Sequence, residues 1–144
     1  MSSTFEVDQL LIQNAVGNEG HVFDLVESNL NLTNSKVRET YTLNEGSVFL
    51  KIQGGQFINI NTMEVRDVKG LLYIDEVLEV NLSDITVRSS NPVKSFIDIR
   101  GAVDVNFNQS TFNLTKANLS PARSFVYLQN IEHSINVANS SFSN

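Results

Sequence analysis

Apolar and polar positions in this chain recur in one short phrase: an apolar residue, four mostly polar residues and a second apolar residue, with asparagine just ahead of the first. The phrase spans Leu32 to Val37, Ile60 to Val65, Leu82 to Val87, Phe107 to Phe112 and Val137 to Phe142, preceded by Asn31, Asn59, Asn81, Asn106 and Asn136. Its length is constant, while successive copies start 22 to 30 residues apart. A fixed phrase separated by variable spacers predicts stacked coils that carry loops.

Ahead of each phrase lies a short alternating run: Phe23 and Leu25, Val48 and Leu50, Leu72 and Ile74, Ile97 and Ile99, Val126 and Leu128. A period of two, rich in β-branched and aromatic residues, predicts a strand. The phrase supplies a second strand, whose inward residues are Leu30 and Leu32, Ile58 and Ile60, Val80 and Leu82, Val105 and Phe107, Ile135 and Val137. A third strand begins at Val37, Val65, Val87, Phe112 and Phe142, and Phe5 is placed in the same slot of an incomplete first coil. Between the second and third strands fall Asn34, Thr62, Asp84, Gln109 and Asn139, which are expected to share one tight bend and to form an internal polar ladder. Loops are expected where the third strand returns to the first, at residues 8–20, 39–46, 67–70, 89–94 and 114–123.

Together these features predict an all-β chain, a parallel β-helix of about five to six coils with three strands per coil, and the resemblance stated next implies that it is right-handed. Through this three-strand coil, short fixed bend and stacked asparagines the chain resembles the pectin-lyase-like, right-handed parallel β-helix proteins. The resemblance covers Phe5 to Phe142. An antiparallel sandwich also accommodates many short strands, but it does not explain the common register of five phrases.

The whole of residues 1–144 reads as one solenoid domain. Ser3-Thr4-Phe5 is placed in the same phase as Ser140-Ser141-Phe142, and neither terminus carries an amphipathic capping helix, so the chain is expected to be a segment of a longer solenoid or the subunit of a stacking fibre. The net charge of −6 argues against nucleic acid as a partner, and no stretch is long enough to span a bilayer. With no cysteine there is no disulfide framework, thiol nucleophile or zinc–thiolate site. His21 and His133 stand alone in the sequence, so neither a metal site nor a cofactor is expected.

Three surface columns remain. The asparagines ahead of the phrases should face outward, as an amide ladder that fixes coil register. The outward positions of the first strand are expected to align as Asp24, Phe49, Tyr73, Asp98 and Tyr127 beside Val26, Lys51, Asp75, Arg100 and Gln129. In the lyases and hydrolases of the resembled fold, catalytic residues occupy this strand and its loops. Here no paired-aspartate or Gly-His-Gly phrase accompanies it, no catalytic residue is assigned, and Lys51, Asp75 and Arg100 read as an ion-pair ladder. The other reading of the face, through Phe49, Tyr73, Tyr127, Lys51, Asp75, Asp98 and Arg100, is a carbohydrate-binding or polysaccharide-degrading site. The third column aligns Glu6, Arg38, Arg66, Arg88 and Asn113, with Glu39, Glu64 and Asp67 near enough to neutralise the arginines.

Six Asn-X-Ser/Thr sequons occur, at Asn31, Asn81, Asn108, Asn113, Asn118 and Asn139. Asn113 and Asn118 are the expected acceptors in a secreted chain. The sequence therefore predicts a non-enzymatic structural or adhesive module at the cell surface or outside the cell. It is expected to self-associate end to end or to continue in a larger chain, with polysaccharide as the alternative partner and any export signal lying outside this sequence.

Overall fold

The computed structural model describes residues 3–17, 21–42, 48–90, 95–114 and 125–143. Within them every regular element is a strand. These are β1 (Ser3–Asp8), β2 (Leu11–Gln13), β3 (Val16–Gly17), β4 (Phe23–Val26), β5 (Ser28–Thr42), β6 (Leu50–Val68), β7 (Leu72–Ser90), β8 (Ile97–Arg100), β9 (Asp104–Asn108), β10 (Thr111–Leu114), β11 (Val126–Gln129), β12 (Ser134–Ala138) and β13 (Ser141–Ser143). All pairings are parallel, and each joins one coil to the next. The chain is a parallel β-solenoid. Counted as coils with a bonded neighbour on both sides, it makes about four turns rather than the five to six expected.

The register follows the repeated phrase. One column holds Phe5, Leu30, Ile58, Val80, Val105 and Ile135, and a second holds Val7, Leu32, Ile60, Leu82, Phe107 and Val137. A third runs through Ile12, Val37, Val65, Val87, Phe112 and Phe142. A one-residue slip would turn each of these side chains outward, so the apolar pattern holds the register.

This register corrects the placement of Phe5, which opens the second strand opposite Leu30 rather than the third. The missed signal is a sixth phrase, Val7 to Ile12, in which Glu6 replaces the leading asparagine. Two expectations fall with it. Glu6 pairs in register with Asn31, while Gln13 sits below Arg38. The first rung begins on the second strand and the last ends on the third, so the two ends are not in the same phase. Residues 11–13 and 16–17 are strands, not part of a loop.

The second corner of every coil turns at a single residue in the left-handed region. The second corner contains Gln9, Asn34, Thr62, Asp84, Gln109 and Asn139, all with φ between 50° and 61°. Asparagine and aspartate tolerate that conformation well, whereas a β-branched residue such as Thr62 is strained there. The shared bend is as expected, but the five residues assigned to it point outward and are exposed, so they form no internal ladder. The inward place next to them belongs to Ser35, Met63, Ile85, Ser110 and Ser140. The hydroxyls of Ser35, Ser110 and Ser140 each donate to the carbonyl two residues back, at 2.9–3.0 Å, satisfying groups that the bend would otherwise strand.

At the first corner the coil of β6 has one residue more than the coil of β4 and β5 beneath it, Gln53 to Ile58 against Val26 to Leu30. Gly55, at φ 134°, leaves no room for a side chain, because a Cβ would lie 2.4 Å from the Ser28 carbonyl oxygen. Asn29, buried beneath this bulge, accepts from the backbone N–H groups of Gln56 and Phe57 at 2.8 and 3.3 Å.

Candidate functional surfaces

On the first face, inward residues register as Phe23, Leu50, Leu72, Ile97 and Val126, followed by Leu25, Ile52, Ile74, Ile99 and Leu128. The expected pair Val48 and Leu50 was therefore two residues out of register. Phe49 is a corner residue, 1% exposed, packed edge-on against Phe23 with ring centroids 5.5 Å apart. Val48, Phe49 and Leu50 are all buried, because alternation breaks where the chain turns into the strand. Phe49 thus leaves the proposed sugar-facing set.

The rest of that set does share one face. The outward columns are Asp24, Lys51, Tyr73, Asp98 and Tyr127, then Val26, Gln53, Asp75, Arg100 and Gln129. Lys51 approaches Asp24 at 3.8 Å, and Arg100 grips Asp98 with two bonds of 2.8 and 2.9 Å. The ion pairs therefore lie within the Asp24 and Asp98 neighbourhoods rather than along Lys51, Asp75 and Arg100. The Arg100 guanidinium also lies 5.4 Å from the ring centres of both Tyr73 and Tyr127.

Arg100 thereby forms the middle of a tyrosine–guanidinium–tyrosine stack, and one face of each ring is occupied by it. The hydrogen bonds to Asp98 hold its pKa above the usual arginine value. Burial, aided by Asp75, pushes the Tyr73 phenol up. On this face both cations meet carboxylates of the protein, Lys51 at Asp24 and Arg100 at Asp98.

The third-strand face carries Arg38, Arg66 and Arg88 in one register column, as expected. Glu64 lies between cations, 3.0 Å from Arg38 and 3.5 Å from Lys36, and Arg66 bonds Asp67 at 3.1 Å. Burial raises the Glu64 pKa, but Arg38 and Lys36 outweigh it and leave the carboxyl below its ordinary value. Beside this column runs a shallow groove of about 450 Å³ lined by residues of both signs, including Lys36, Glu64, Asp84 and Arg88.

The asparagine column is a continuous ladder. Asn59 donates to Asn31, Asn81 to Asn59 and Asn106 to Asn81, each at 2.8 Å, and Asn136 donates to Asn106 at 2.9 Å. Asn81 Nδ2 also donates to Glu79 at 2.9 Å, which commits both of its N–H groups. Among the sequons Asn113 is exposed on β10, and Asn118 lies outside the described residues.

His21 and His133 have structural partners: His21 Nδ1 accepts from the Val48 N–H at 3.0 Å, and His133 Nδ1 lies 2.8 Å from Asp104. Ser134 bonds the same Asp104 oxygen. Hydrogen bonds from Ser134 and then His133 hold the Asp104 carboxyl below its usual range. Serine and histidine converge on one acceptor here, so the imidazole is not placed to take the serine proton. Among the described residues no group of three or more histidine, cysteine, aspartate or glutamate side chains is arranged to hold a metal.

The ends differ from every lateral face. At the N-terminal rung Phe5 is 45% exposed, and at the C-terminal rung Val137 and Phe142 are 54% and 42% exposed, although all three lie in inward columns. Beneath the first rung opens a cleft of about 300 Å³ lined only by apolar side chains. The other end is a shallower apolar depression over Phe107, Phe125, Leu128, Val137 and Phe142. Comparison with protein-family models, curated proteins and solved structures found no match to this chain.

Proposed function

We propose that the chain is a structural or adhesive module of the right-handed parallel β-helix kind, acting at the cell surface or outside the cell, whose two ends join it to further coils. Those coils belong either to other copies in a fibre or to a larger solenoid. The observation that carries this reading is the exposure of inward-column residues at both ends, together with unpaired strand edges, while on the lateral faces the asparagine column, Arg100 and Arg38 bond to neighbours within the chain.

An in-register junction seats Phe5 on Ile135, Val7 on Val137 and Ile12 on Phe142, which continues all three columns. Such a heterologous contact does not close on itself and propagates along the axis.

Sedimentation velocity and electron microscopy over a range of protein concentrations test this reading. Expected are rods that lengthen with concentration and are abolished by Val137→Asp. Monomers at every concentration would overturn the fibre reading. A neutral polysaccharide that bound the monomer and was released by Tyr127→Ala would put a carbohydrate-binding module in its place. For glycosylation the exposed Asn113 is the preferred acceptor, and Asn81, with both N–H groups committed, is the poorest.

A further inference from the structure

The two histidines hold opposite tautomers, and their partners dictate which. A backbone N–H can only donate, so His21 Nδ1, which accepts from the Val48 N–H at 3.0 Å, presents a lone pair there, and the neutral ring carries its proton on Nε2. His133 is the reverse case. Hydrogen bonds from Ser134 and then His133 hold the Asp104 carboxyl below its usual range, so it stays an anion through neutral and mildly acid pH and can only accept. His133 Nδ1, 2.8 Å from Asp104 Oδ1, therefore carries the proton.

Each contact joins neighbouring coils. His21 stands two residues ahead of β4 and reaches the residue two ahead of β6, while His133 stands one residue ahead of β12 and reaches the first residue of β9.

We propose that these opposite tautomers form a pH-sensitive device of two signs: protonation of the imidazoles releases the β4 coil from the β6 coil at His21 and tightens the β12 coil on the β9 coil at His133. Imidazole is the side chain whose ordinary charge change falls between about pH 5 and 8. At His21 the added proton goes to Nδ1, the atom that accepts from Val48, so the bond is lost and the Val48 N–H is left without it. At His133 the added proton goes to Nε2, the Nδ1–H stays on Asp104, and the bond becomes one between opposite charges. The His21 contact is thus present above the interval and lost below it; the His133 ion pair is present below the interval and lost above it.

The charges on the surrounding elements agree with these signs. Around His133 stand Asp104 at the bond, Glu132 beside it in sequence and Glu79, which pairs in register with Asp104 from β7. Neither β9, β12 nor residues 77–83 of β7 carry a lysine or arginine. Near His21, Asp24 and Lys51 meet each other across β4 and β6 at 3.8 Å, and Lys69 precedes Gly70, whose carbonyl accepts from the Phe49 N–H. Among the described residues no carboxylate forms an ion pair with His21 to hold it protonated, and Glu19 and Glu45 lie outside them. The two effects oppose, so overall stability changes little across the interval and the response is local.

The test uses the full chain. Long-range proton–nitrogen NMR at about pH 8 reads the tautomers, expected as Nε2–H for His21 and Nδ1–H for His133. Amide exchange, corrected for the intrinsic rate at each pH, reads the joins. Between about pH 7.5 and 5.5 the protection of Val48 should fall about threefold to tenfold. That of His133 and Ser134, whose N–H groups donate to the Val103 carbonyl, should rise about twofold to fourfold. His21→Asn sets a non-titrating acceptor where Nδ1 stood, and His133→Asn a non-titrating donor; each should abolish the response at its own join and leave the other unchanged. The wild-type spectra decide the matter on their own should a variant not fold. The proposal is overturned by the same tautomer at both rings, by changes of the same sign at the two joins, or by a Val48 response that persists in His21→Asn.

Discussion

Ile60 and Val137 occupy the same column, in the same phrase, at the same distance from the same bend, yet Ile60 is 1% exposed and Val137 54%. Nothing in either residue accounts for the difference; the coil above Ile60 does. In a solenoid, burial is conferred by the next rung, so equivalent positions range from core to surface with their distance from an end. The comparison of central and terminal rungs therefore isolates what stacking contributes.

The largest test removes a side chain that the last rung covers. Phe107, fully buried against Phe112, Phe142 and the coils around it, should lose about 3–5 kcal/mol on replacement by alanine through the cavity left behind. Val137→Ala, one rung higher in the same column, should lose under about 1 kcal/mol in the monomer. Denaturant melts giving equal losses would erase the distinction.

Next comes the amide ladder. Asn81→Ala breaks bonds to Asn59 and Asn106 and should cost about 1–2 kcal/mol, whereas Asn136→Ala breaks the single bond to Asn106 and should cost about half as much. A double-mutant cycle between Asn59 and Asn81 measures the coupling directly.

Backbone strain gives a gain rather than a loss. Thr62 is the β-branched member of the second corner, at φ 60°, and Thr62→Asn should stabilise the chain by about 1 kcal/mol. Asn139→Gly at the terminal copy of the corner should change stability by no more than a few tenths of a kcal/mol.

The smallest effect concerns acid. Hydrogen bonds from Asn34 and then Thr33 lower the Asp8 pKa, and Glu64 and Asp104 are lowered as described. A carboxyl depressed in the folded state contributes stability that is fully present above its unfolded pKa of about 4 and is lost as pH falls through the folded value. Stability should therefore be level from neutral pH to about 5 and decline below about 4. Glu64→Gln should flatten that decline more than Asp8→Asn, because Glu64 faces two cations in mid-stack; proton titration by NMR and melts at each pH measure both.

Much of this was legible in the sequence for a physical reason. The second strand, its corner and the third strand have a fixed length, so their columns repeat in the order of residues and the asparagine ladder could be read directly. Phe49 was not legible, because a strand period cannot be carried through a corner where consecutive residues both turn inward. The sixth phrase at Val7 to Ile12 was hidden by glutamate for asparagine at position 6 and by the apolar Leu10 and Leu11 among its four middle residues. The pairing of Arg100 with Asp98, two residues away on the same strand, depends on side-chain rotamers that no column pattern encodes.

The asparagine ladder has an electrical consequence. All four bonds run in one sense, each Nδ2 donating toward the N-terminal end, so the side-chain amide dipoles add rather than cancel. Peptide-like dipoles of about 3.5 D aligned in a row behave as the backbone of a helix does, with a positive pole at one end and a negative pole at the other. Here the positive pole lies at Asn31, and the residue in register beneath it is the carboxylate Glu6. The substitution that hides the sixth phrase thus sets an anion at the pole that favours one.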